Sequence, residues 1–190
     1  DHNFDHGKMH MKWLANLIGE TLKSHPDSVL LEDPENAWTG RQIEEKIREI
    51  EAVLQVNTLE GSLVGICYPN LAYQGLAILA VLRARRVPVI LSYDDLTHRT
   101  QSWLERLNLD LLLTTAELEP FTSPSFNTLI LKVNGEVQHV THPLNRPLLG
   151  NFAPPGTGLV LYTSGSTGNP KGICVPEKGI ILTCDHLRKY

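Results

Sequence analysis

Apolar residues along this chain fall into two rhythms. Ile43, Ile47, Ile50, Val53 and Leu54 recur at helical spacing, with charged residues between them, which lays one apolar stripe along an amphipathic helix. Thr39 followed by Gln42 supplies a capping box at its start. Met11, Leu14, Leu17, Ile18 and Leu22 repeat the rhythm nearer the beginning, until the stretch SHPDS stops it. Elsewhere the apolar residues come in short unbroken runs that read as strands: Ser28 to Glu32, then SLVGICYP, VPVILS, LDLLLTT, NTLILKV and Gly158 to Thr163. Leu71 to Ala84 separates two of these as a helix apolar nearly all round. Thr97 to Leu107 separates the next pair, with Trp103, Leu104 and Leu107 facing inward.

Apolar strands alternating with helices of this length predict parallel βαβ units with helices covering the sheet. The expected fold class is α/β, a layered domain with a largely parallel sheet. Thr122 to Pro124 and His139 to Gly158 read as loops, the second carrying Pro143, Pro147, Pro154 and Pro155. After Lys171 the residues GICV suit another strand, and Lys178 to Tyr190 a helix with Ile181, Cys184, His186 and Leu187 near one side. His186 fits a helix-surface or capping role better than that of a ligand.

Composition narrows the function classes. With 190 residues, 42% of them hydrophobic, the chain can bury one ordinary core and an appendage. A net charge of −4 and a pI near 6.1 argue against a nucleic-acid binder. The longest apolar run, Leu76 to Leu91, is interrupted by Arg83, Arg85 and Arg86 and does not suit a membrane span. Neither a signal-peptide pattern nor a glycosylation sequon is present. The three cysteines, Cys67, Cys174 and Cys184, are odd in number and lack metal spacing, as expected of free thiols in a reducing cytoplasm. Cys174 has no paired histidine nearby to mark it as a nucleophile. Residues 1–10, DHNFDHGKMH, differ from the rest; His2, His6 and His10 could share a helix face as metal ligands, but the stretch reads better as a leader or tag remnant ahead of a domain over 11–190.

The chemistry concentrates in LVLYTSGSTGNPKG, from Leu159 to Gly172. An apolar strand ends in the hydroxyls of Thr163, Ser164, Ser166 and Thr167, with Gly165 and Gly168 among them. Glycines let successive backbone N–H groups turn outward into an anion nest, and Lys171 adds a mobile positive charge. These features suit a polyphosphate. A Walker loop is excluded, because Lys171 precedes Gly172 and no hydroxyl residue follows the lysine. A dinucleotide fingerprint starting at Gly156 and Gly158 fails at Leu161, and a hydrolase nucleophile elbow fails because Ser164 stands two before Ser166. A Ser/Gly-rich surface turn would share the composition but does not account for the order Pro170-Lys171-Gly172.

YTSGSTGNPKG resembles the signature loop of the adenylate-forming superfamily, which contains acyl-CoA synthetases, adenylation domains of nonribosomal peptide synthetases, and luciferases. The resemblance runs upstream through HPDSVLLED, WTGRQIEEKI, GSLVGICYPNLAYQGLAILAVLRARRVPVILSYD and HRTQSWLERLNLDLLLTT. It implies ATP-dependent activation of a carboxylic acid to an acyl-adenylate with release of pyrophosphate. The acyl group then passes to a thiol, coenzyme A or the phosphopantetheine of a carrier protein. By the same resemblance Thr163, Ser164, Gly165, Ser166, Thr167, Gly168 and Lys171 hold the departing phosphates, and Gly172 is the structural glycine of the loop. The presence of serine at position 166 leans towards the peptide-synthetase type.

The chain departs from the family pattern in three places: Arg85 and Arg86 stand where glycine is usual, SYDDL replaces a proline-rich turn, and Glu177 falls where many members carry histidine. The acyl pocket, the adenine and ribose contacts, the Mg²⁺ ligand and a catalytic lysine follow this stretch in the family. The chain is therefore expected to be the opening part of the large N-terminal domain, supplying the phosphate loop and part of the scaffold, and inactive without the remainder. The other reading is a catalytically inactive nucleotide-binding or interaction module.

Overall fold

A computed structural model of the chain describes residues 6–98, 106–107, 109–117, 127–131, 137–140, 152–163 and 171–187. The elements run α1 (His6–Ser24), β1 (Val29–Glu32), β2 (Ala37–Thr39), α2 (Gly40–Asn57), β3 (Leu63–Cys67), α3 (Leu71–Arg83), β4 (Val87–Ile90), α4 (Tyr93–His98), β5 (Leu111–Thr114), β6 (Asn127–Leu131), β7 (Val137–Val140), β8 (Thr157–Thr163), β9 (Lys171–Pro176) and α5 (Glu177–Leu187). No helix among the described residues is long and apolar enough to cross a membrane.

The sheet has the order β7-β6-β5-β3-β4-β8-β9. Its five inner strands are parallel, and β7 and β9 close the two edges antiparallel. On one face Val64, Ile66, Leu111 and Leu113 meet Ile43, Ile47, Ile50 and Leu54 of α2, Leu76 and Val81 of α3, and Leu14 and Ile18 of α1. Each isoleucine fully buried there contributes about 2 kcal/mol. The other face gathers Val87, Val89, Leu91, Leu112 and Val160 under Leu96, Leu107 and Leu109. Gly65 makes this second packing possible, since a Cβ there would lie 2.6 Å from Leu109 Cδ1 and 3.0 Å from Leu112 Cδ1. Pro88 is tolerated inside the sheet because the β4–β8 ladder starts only at Val89.

Helix ends follow local chemistry. At the start of α2, Thr39 N–H donates to Gln42 Oε1 at 2.9 Å and Gln42 N–H to Thr39 Oγ1 at 3.4 Å, the capping box expected from sequence. Asn70 Oδ1 caps α3 by accepting from Ala72 and Tyr73. Past the other end of α3, Arg85 N–H reaches Leu82 O and Arg86 N–H reaches Val81 O, a Schellman motif. It requires a left-handed residue, and Arg85 takes φ 61° in the place where the family usually has glycine. The Arg86 guanidinium turns inward onto the end of α2, donating to Thr58 Oγ1, Thr58 O and Leu54 O, and also to Ala84 O. Arg83 bridges α3 to Glu51 and Glu44 of α2.

Several expectations shift. α1 begins at His6, ahead of Met11. β2 was not expected; it pairs antiparallel with β1 across a turn in which Asp33 Oδ1 accepts from Glu35 and Asn36, and Asp33-Pro34 was its readable signal. His139 and Val140 belong to β7 rather than to a loop, because the unpaired edge of β6 offers them an antiparallel ladder. Tyr93–His98 forms a short helix, α4, that was not expected and overlaps only the first two residues of the helix expected over Thr97 to Leu107, most of which lies outside the described residues. Leu107 is buried as expected, while Trp103 and Leu104 lie outside the described residues. Thr122 to Pro124 also lies outside them. On α5, Ile181 is buried and Cys184 and His186 are exposed.

Candidate functional site

Five parallel strands running the same way bring their carboxyl ends, Cys67, Ile90, Thr114, Leu131 and Thr163, to one edge of the sheet. β4 and β5 lie on opposite sides of β3, so the chain reverses its direction of travel there. Open α/β sheets bind ligands outside such carboxyl ends, near the reversal. Thr114 Oγ1 donates to Cys67 O at 3.0 Å and ties β5 to β3 at this edge. The next residue, Thr115, has a buried Oγ1 without a hydrogen-bond partner among the described residues.

The glycine- and hydroxyl-rich loop emerges at the same edge. β8 and β9 form an antiparallel hairpin whose last rung pairs Thr163 with Lys171. Ser164, Gly165, Ser166, Thr167 and Gly168 fall between them, outside the described residues. Thr163 is therefore placed by its backbone as the end of β8, and Lys171 as the exposed first residue of β9. An antiparallel rung holds its two Cα atoms about 5 Å apart, so both stems of the loop are fixed at one spot. Lys171 thus stands at one fixed stem of the segment whose sequence carries the glycines and hydroxyls.

Gly172 sits opposite Tyr162. A Cβ at Gly172 would stand 3.2 Å from Tyr162 Cζ and 3.3 Å from its Oη, so the glycine lets the tyrosine ring lie across the strand. Burial, and secondarily the neighbouring Cys174, hold the Tyr162 phenol above its ordinary pKa. At the base of the hairpin, Gly156 takes φ 81° in the turn before β8, and Thr157 Oγ1 donates to Pro154 O at 2.7 Å. Glu177 N–H donates to Gly156 O at 2.9 Å, and Glu177 Oε1 accepts from Leu14 N–H at 3.0 Å. Sequence reasoning assigned no role to Tyr162 or to this use of Glu177; a buried acid in a chain of polar surface acids has no signature of its own.

Cys67, Cys174 and Cys184 are free thiols. Among the described residues, no group of three His, Cys, Asp or Glu side chains is placed to hold a metal ion. His2 lies outside the described residues.

The chain is 30% identical over 174 residues to phosphinothricin tripeptide synthetase PhsC of Streptomyces viridochromogenes, covering 90% of this chain and 16% of that protein. It is 31% identical over 175 residues to tyrocidine synthase 3 of Brevibacillus parabrevis, covering 90% of this chain and 3% of that one. Among solved structures, the nonribosomal peptide synthetase FmoA3 in its alpha-methyl-L-serine-AMP bound form superposes with a TM-score of 0.71 at 20% identity, over 93% of this chain and 20% of that chain. VinN with L-aspartate superposes with a TM-score of 0.66 at 16% identity, over 93% of this chain and 51% of that chain. These two likenesses are of fold. The sequence profile of the family described as AMP-binding enzyme matches residues 19–189, nearly the whole of the chain whose strands deliver the loop to the sheet edge, and the chain belongs to that family.

Proposed function

We propose that the chain supplies the phosphate-binding part of an adenylation domain that activates a carboxylic acid, of the amino-acid type handled by peptide synthetases. The observation that carries this reading is the loop sequence from Thr163 to Lys171 on a hairpin at the carboxyl edge of a largely parallel sheet. In the reaction a carboxylate oxygen attacks the α-phosphorus of ATP. The bond to the bridging oxygen breaks, and pyrophosphate leaves with the electron pair. Thr163, Ser164, Ser166 and Thr167 donate hydrogen bonds to the departing phosphates, and Gly165 and Gly168 offer backbone N–H groups. Lys171 neutralises part of the developing charge. Phosphoryl chemistry of this kind is catalysed mainly by positioning and charge stabilisation.

The acyl-adenylate then meets a thiol, the phosphopantetheine of a carrier protein or coenzyme A. Mg²⁺ would supply charge neutralisation at the phosphates; the described residues fit no ligand set for it, and we assign its ligand, the acid pocket and the catalytic groups to the remainder of the adenylation domain. The chain spans only 16% of PhsC, which supports placing those parts outside it. On this reading residues 11–190 belong to the opening part of the adenylation domain, and the setting is cytoplasmic.

The test is ATP–pyrophosphate exchange by the complete enzyme carrying Lys171→Ala. One well-aimed charge-stabilising donor is worth about 3 kcal/mol, so exchange should fall about 100-fold, with the circular dichroism spectrum unchanged. Exchange at the wild-type rate overturns the assignment.

A further inference from the structure

The hairpin is held unevenly. β8 is hydrogen-bonded on both sides, to β4 and to β9. β9, which begins at Lys171, has β8 as its one strand neighbour among the described residues, and nearly all its residues are exposed. Its anchorage lies at the other end, where Pro176 gives way to α5.

Glu177 stands at that point and is 1% exposed. Its N–H binds the turn that opens β8, through Gly156 O, and its carboxylate accepts from Leu14 N–H in α1. A Cβ at Gly158 would meet Glu177 Cα at 2.9 Å and Ile180 Cδ1 at 2.5 Å, so β8 runs against the start of α5 without a gap. Ile181, one turn further on, is buried in the same core cluster as Leu14 and Ile18. The exit of the hairpin is thus tied to its own opening turn and to a helix from the far end of the sequence.

We infer that Glu177 is a positioning residue for Lys171: it clamps the base of β9, so that the ammonium at the far end, about 17 Å along the strand, is presented to the phosphates from a fixed support. This rests on the phosphate-binding role proposed for Lys171. Leu14 N–H is an uncharged donor, so what this contact requires of residue 177 is an acceptor oxygen at the right reach. Glutamine preserves that oxygen and its reach. Aspartate preserves the charge but is one methylene shorter.

The experiment measures ATP–pyrophosphate exchange by the complete enzyme as wild type, Glu177→Gln, Glu177→Asp and Lys171→Ala, together with amide deuterium uptake of the peptide covering β9. A misplacement of 1 Å can cost on the order of 100-fold, so Glu177→Asp should lose about tenfold in kcat/KM for ATP, while Glu177→Gln stays within about twofold of wild type. The KM for the acid should not change, and deuterium uptake in β9 should rise in the aspartate variant alone. Wild-type behaviour of Glu177→Asp, or equal impairment of Glu177→Gln, overturns the clamp while Lys171→Ala remains impaired. Should Glu177→Asp fail to fold, Gly158→Ala, whose Cβ would press on Glu177 Cα, decides: reduced turnover with raised uptake in β9 supports the clamp, and wild-type behaviour in both overturns it. Unimpaired Lys171→Ala overturns the underlying functional reading as well.

Discussion

Replacing Arg85 by glycine is expected to stabilise the chain. Arg85 holds φ 61° directly after the end of α3, and a side chain in that left-handed conformation costs about 1–2 kcal/mol. Glycine removes that cost but loses about 0.4–1 kcal/mol more chain entropy on folding. The arginine side chain offers little in return, because Nη1 stands 3.7 Å from Glu60 Oε1 and both groups are exposed. Such a pair contributes a few tenths of a kcal/mol at most. The two bonds of the Schellman motif, from Arg85 N–H to Leu82 O and from Arg86 N–H to Val81 O, are both backbone bonds and survive the change. The balance is a gain of about 0.5 kcal/mol, or a rise in Tm of about 1–2 °C in a chain of this size. Urea titration of wild type and Arg85→Gly at equal m-value measures it. A clear loss of stability would refute the reasoning, since it would mean that the Arg85 side chain contributes more than its distant contact with Glu60.

Two further perturbations test the same accounting of buried groups. Ser62 is 0% exposed and its Oγ has no hydrogen-bond partner among the described residues, so Ser62→Ala should stabilise by about 1 kcal/mol in the same titration; destabilisation would show that the hydroxyl is satisfied. Arg86→Met keeps an apolar stem but removes the donors to Leu54 O, Thr58 O and Thr58 Oγ1, and should cost about 2–3 kcal/mol. A change below about 0.5 kcal/mol would mean that the end of α2 is closed without the guanidinium.

Legibility in the sequence followed the range of the interactions. The cap of α2 was readable because Thr39 and Gln42 are three positions apart and act on each other's backbone. The apolar stripe of the same helix was readable because burial repeats with the helical turn, and Ile43, Ile47, Ile50 and Leu54 are all buried. β7 was missed because Val137 to Val140 has no strong pattern of its own and becomes a strand only against β6. Arg85 could be marked as a departure from the family's glycine, but its backbone angle is the consequence of two hydrogen bonds that close only once α3 has formed.

The loop sequence and the alternation of strands and helices were properties of the chain's local order, and they sufficed to point to an α/β protein of the adenylate-forming kind. Strand order was not local. Whether β8 lies beside β4 or at an edge depends on which apolar faces meet, and that choice puts the Thr163–Lys171 rung at the carboxyl edge with the other strand ends. The burial of Glu177 against Leu14, 163 positions away in sequence, is decided in the same way: helix and turn propensities act over a few residues, whereas the partner of a buried carboxylate is chosen by the packing of whole elements.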